Sequence, residues 1–137
     1  VSLMLHTFVG EDDEAVRAKV KAPMIDYLGS SANLVGNYTA SVPFFQQRCP
    51  VSTGELTQDD VRDALEFSFE RYYATSSLMG TMDACLAMTD RARAAGVDEI
   101  ACLIDFGVAP DEVLAALPLL DELRQLASVT EAELAAV

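Results

Sequence analysis

An α/β fold with parallel strands is predicted by three features of this sequence. Two short apolar runs, Val1–Val9 and Ile100–Ile104, are flanked by glycine, as strands buried on both faces are. Acidic residues that suit a helix start follow each one, Glu11–Glu14 after the first and Asp111–Glu112 after the second. Two further helical patterns and one short extended segment lie between them, so strand and helix alternate.

The first run, VSLMLHTFV, ends at Gly10 and reads as a buried strand. Val16, Val20, Met24 and Tyr27 then recur at helical spacing, so a helix runs from about 12 to the high twenties. Pro23 falls inside it and predicts a kink or a break. From Gly29 to Gly54 small and polar residues take over, with Pro43, Pro50 and the pair Phe44-Phe45. Residues 37–56 therefore read as an insertion or loop, with some helix near 31–40.

Thr57-Gln-Asp-Asp60 resembles a capping box with Asp in the usual Glu position. Val61, Leu65, Phe69 and Tyr72 mark one face of a helix over 58–74. Ser76–Thr81 is a short extended segment that turns at Gly80. Thr81 can cap a new helix whose Asp83 suits the dipole, and Gly96 closes that helix as its C′ residue. A second buried strand follows over 99–104, with Cys102 expected inside the core. Pro110 suits the first turn of a last helix, which Val113, Leu117, Leu120 and Leu123 continue to about 127. Thr130 is expected to cap a final short turn.

The 137 residues predict one domain, treated as a single segment over 1–137. Nine basic residues against 22 acidic ones give a net charge of -13, which argues against nucleic acid and membrane surfaces as partners, both being polyanions. Cys49, Cys85 and Cys102 form no metal-ligand spacing and cannot all pair internally; with His6 the single histidine, no metal site is expected. Reduced thiols and the lack of a long apolar run fit a cytoplasmic protein. Two or three parallel strands neither close a barrel nor make a well-covered sheet. Together with the start at Val1, apolar from its third residue, this leads us to expect a piece of a longer polypeptide.

Three segments carry a family resemblance: MLHTFVGEDDEAVRAKV, FERYYATSSLMGT and ACLAMTDRARAAGVDEIACLIDFGVAPDEVLAALPLLDEL. Together they resemble the luciferase-like monooxygenases, and most closely the branch found with nonribosomal peptide synthetases and polyketide synthases in natural-product biosynthesis. The resemblance spans nearly the whole chain outside the stretch from about 30 to 56. It implies the C-terminal portion of a (β/α)8 TIM barrel, with Ser2–Phe8 as strand six, Ser77–Met79 as strand seven and Glu99–Ile104 as strand eight. The first five strands are absent. The family's flavin-phosphate contacts and best-known catalytic histidine come from them, so no residue here inherits those roles.

The resemblance further implies an oxidoreductase that uses reduced FMN and O2 to oxygenate an organic substrate, such as an acyl or aminoacyl group on a carrier protein. In such barrels the site lies at the C-terminal ends of the strands. That rule selects His6 and Thr7 after strand six, as substrate-side residues, and Asp105 and Phe106 after strand eight, as lining of the cofactor pocket. Each has a plainer reading. Asp105 can cap the last helix, Phe106 can be core, and His6, the candidate general base, can be tucked into a packed layer. Gly80-Thr81 resembles an anion-binding turn, but a lone Gly-Thr reads first as a plain helix cap. The pairs Phe44-Phe45 and Tyr72-Tyr73 suit a core or a subunit interface. Bare strand edges would favour self-association or pairing with the remainder of the barrel, and the isolated chain is expected to be inactive. The competing reading is a non-catalytic interaction or dimerisation module.

Overall fold

The computed structural model describes residues 1–41 and 58–134. Its elements are β1 (Ser2–Gly10), α1 (Asp13–Ser41), α2 (Gln58–Thr75), β2 (Leu78–Thr81), α3 (Met82–Ala94), β3 (Glu99–Leu103) and α4 (Pro110–Leu134). The three strands form one parallel sheet in the order β2-β1-β3. The α/β class with parallel strands is as the sequence predicts.

Strand β1 is central because it is the longest and its two halves pair on opposite edges. Ser2 to His6 register against Glu99 to Leu103 of β3, while Thr7 to Gly10 register against Leu78 to Thr81 of β2. This differs from the succession six, seven, eight, in which the second strand would lie between the other two.

Alternation along β1 sends its side chains to two separate cores. Phe8 joins Val16, Val20 and Met24 of α1 and Phe69 and Tyr73 of α2 on one face. Leu5 and Val9 join Leu78, Cys85 of α3 and Leu123 of α4 on the other. Phe69, Met24 and Val20 are fully buried, and each such side chain stabilises the fold by roughly 1.5–3 kcal/mol. Ion pairs Arg17–Glu70 and Lys21–Glu66 run alongside the α1–α2 contact. Both are half exposed and add little, about 0–1 kcal/mol each.

The caps expected at Thr81 and Gly96 are present, while Thr57 of the expected capping box lies outside the described residues. The Ala15 N–H donates to Asp12 Oδ1 at 2.8 Å, ahead of Asp13 and Glu14 in the first turn of α1. Thr81 Oγ1 accepts the Ala84 N–H at the start of α3. Gly96, at φ +85°, closes α3 with its N–H on the Arg93 carbonyl.

Four expectations are corrected. The first helix does not break at Pro23 or end in the high twenties; α1 is 29 residues long and continues through Gly29 to Ser41. Burial of Val16, Val20 and Met24 on either side of Pro23 outweighs the single backbone hydrogen bond that proline forgoes. Of the insertion expected over 37–56, residues 37–41 are helical; the rest, with Phe44, Phe45 and Cys49, lie outside the described residues. The last helix passes Thr130 and reaches Leu134, because no glycine or proline follows Pro118 to stop it. Finally, β3 is not buried on both faces, and Cys102 is exposed rather than core. An edge strand has one neighbour, and the helices on that side stand apart from it.

Candidate functional site

The site is built where β3 ends beside the middle of β1. His6 registers against Leu103, the last residue of β3, and Asp105 and Phe106 follow within three residues. From the other direction, the helical stripe of α1 delivers Tyr27 and that of α2 delivers Tyr72.

These residues converge on the imidazole. Its ring centroid lies 4.6 Å from that of Tyr27, 5.5 Å from Phe106 and 5.7 Å from Tyr72, all edge-on. Such T-shaped contacts set the positive edge of one ring against the negative face of another. His6 Nδ1 is 2.7 Å from the Tyr72 hydroxyl, a hydrogen bond between half-buried groups. Phe106 is buried and also packs in the core with Phe8 and Phe69, so its two readings are not exclusive. Asp105 is exposed, and its charge acts on the imidazole.

Burial lowers the His6 pKa below the usual 6.5, and the Asp105 carboxylate partly opposes that. The ring is therefore neutral at pH 7. Burial raises the Tyr72 phenol above its usual value, its hydrogen bond to His6 pulls the other way, and neighbouring Tyr27 adds to the rise. A neutral imidazole bonded to a protonated phenol can hold one proton in either of two arrangements. With Tyr72 donating to Nδ1, the ring proton sits on Nε2; with Nδ1 donating, Nε2 is basic.

Thr7 does not join this cluster. It points to the opposite face of β1, is buried, and donates its hydroxyl to the Leu5 carbonyl at 2.9 Å. At the end of β2, Thr81 serves as the α3 cap, and the Asp13 carboxylate lies beside Gly80. Tyr73 donates to that carboxylate at 2.8 Å. Sequence reasoning missed Tyr27 and Tyr72 as site residues. The available signal was a tyrosine on each of two otherwise apolar helix stripes, since a half-buried phenol needs a polar partner.

The described residues fit only part of an FMN. Aromatic edges around His6 could wall a planar ring, but no phosphate cradle accompanies them. The three helices that follow strands each open with acids: Asp13 and Glu14 in α1, Asp83 in α3, Asp111 and Glu112 in α4. A phosphate dianion there would meet like charge. Among the described residues no group of three or more His, Cys, Asp or Glu could hold a metal ion. None of the described helices is long and apolar enough to cross a membrane.

No protein-family model matches the chain, and no curated protein sequence matches it.

Proposed function

We propose that this chain is the C-terminal portion of a flavin-dependent monooxygenase of the luciferase-like kind, acting in the cytoplasm on a small or carrier-bound organic substrate. The resemblance of the three quoted segments supports this reading. The structural observation that carries it is the convergence of His6, Tyr27, Tyr72, Asp105 and Phe106 at the carboxyl end of β3. Parallel α/β folds hold their ligands at that end of the strands.

In a complete barrel β2 would lie between β1 and β3. The order β2-β1-β3 departs from that, so the His6 cluster supports a site at the strand ends and not the closed barrel itself. FMN supplies the redox chemistry when bound, and its phosphate is held by parts outside this chain. The residues present have three tasks: Tyr27 and Phe106 exclude water, Tyr72 orients the imidazole, and His6 moves a proton at Nε2 or Nδ1. Asp105 steadies the imidazolium whenever it forms.

Anaerobic titration of reduced FMN tests this. The uninterrupted reading frame's product should bind it, the 137-residue chain alone should not, and Phe106→Ala in the longer product should weaken binding by about tenfold. A longer product without flavin affinity would reject the assignment in favour of a non-catalytic interaction module.

A further inference from the structure

A groove of about 580 Å3 lies on the sheet face opposite the His6 ring. Ala92 of α3 and Leu117 and Leu120 of α4 line it, together with Ile100 and Cys102 of β3. Along its margin runs the open edge of β3, which among the described residues pairs only with β1. The Glu99 N–H donates to the Val1 carbonyl. By alternation Glu99, Ala101 and Leu103 turn their backbone groups to β1, and Ile100 and Cys102 turn theirs outward. The two residues with outward N–H and C=O groups thus both line the groove, which Glu99 borders at the start of the strand.

A row of alternating donors and acceptors beside an apolar trough matches one kind of ligand well, an extended polypeptide. Charge narrows the choice further. Glu99 stands exposed at one end of β3, where the Ser2 hydroxyl donates to it and the neighbouring Asp98 pairs with the Val1 amino group, and Asp105 stands exposed beyond the other end. Arg93 and Arg124, which also line the groove, are paired with Asp90 and Asp121. A second copy, itself at -13, would bring like charge to both ends. We propose that the open edge of β3 takes up a strand from another polypeptide, one that alternates small apolar residues toward the groove and carries basic residues at its ends. The site rests on the sheet order β2-β1-β3 and not on the flavin reading.

The probe is a labelled synthetic peptide of alternating valine and threonine between terminal lysines, titrated into the 137-residue chain. Binding should saturate and slow hydrogen exchange at the Ile100 and Cys102 amides by about tenfold or more. The same peptide ended in glutamate should bind about tenfold more weakly at low salt, with the difference fading at high salt. A probe methylated on alternate backbone nitrogens should not bind, a test that leaves the protein unaltered. Cys102→Pro removes the outward N–H together with the thiol, so it should keep its fold and melting behaviour while losing the probe, whereas Cys102→Ala, which removes the thiol alone, should still bind it. Unchanged exchange at Ile100 and Cys102, equal binding of the methylated probe, or a self-dimer that protects these amides without probe would each overturn the proposal.

Discussion

His6 Nδ1 and the Tyr72 hydroxyl lie 2.7 Å apart although 66 residues separate them in the chain. One sits on the central strand and the other on a helix packed across one face of the sheet. Tyr27 and Phe106 surround the same ring, so four elements of chain history meet at one imidazole.

The first prediction is a pH dependence. His6 has its pKa lowered in the fold, mainly by burial. As pH falls through 6.5 the unfolded chain takes up a proton that the folded chain still refuses, so the unfolded state binds more protons and stability falls. Above 6.5 both states are neutral here, and below the folded pKa both are protonated and the loss is complete. His6→Gln should flatten this part of the melting curve against pH. Asp105→Asn should lower the His6 pKa further, which NMR reads without ambiguity because the chain has one histidine. A His6 resonance titrating above 6.5 would contradict the buried, neutral ring.

The second concerns the joint between α1 and α2. The Tyr73 hydroxyl donates to Asp13 Oδ1 at 2.8 Å, and burial together with that carboxylate pushes its pKa well up. Tyr73→Phe removes a charge-assisted hydrogen bond and should lower unfolding stability by about 1.5–3 kcal/mol. Urea denaturation measures it, and a midpoint equal to wild type would show the bond to be idle.

Gly80 provides a third test. Its φ is +133°, and an added Cβ would lie 3.2 Å from Asp13 Oδ1 and 3.7 Å from the Tyr73 hydroxyl. Gly80→Ala should therefore cost about 1–3 kcal/mol from backbone strain alone, with further loss from displacing Asp13. Thermal melting of this variant, alone and combined with Tyr73→Phe, should show less than additive loss, since both act on one contact.

The fourth separates two thiols. Burial pushes Cys85 up to about 12, so it should resist alkylation in the native state, while exposed Cys102 should react. Peptide mapping after brief iodoacetamide treatment should find the label at Cys102 and reach Cys85 only after denaturation. Equal labelling of both would mean that α3 does not pack on the sheet as described.

Local chemistry was legible in the sequence. The starts of α1, α3 and α4 were readable because acids, a capping Thr81 and Pro110 act on the nearest backbone groups. The burial of Val16, Val20, Met24 and Phe69 followed from their helical spacing. The proximity of His6 to Phe106 followed from parallel strands pointing their carboxyl ends the same way.

Only the tertiary structure decided what depends on a choice of neighbour. Whether β3 pairs with β1 or with β2 leaves its own pattern unchanged, yet it sets which edge is open and whether Cys102 is covered. Helix length through Pro23 was decided by packing on either side of it, a gain that no local signal reports. Thr7 and His6 look equivalent as neighbours in sequence, but the pleat sends one to each face, and only the helices packed there give one a phenol and the other a carbonyl of its own strand. Periodicity is a property of a segment; pairing and burial are properties of two segments, and the free energy that selects between partners appears only when both are in place.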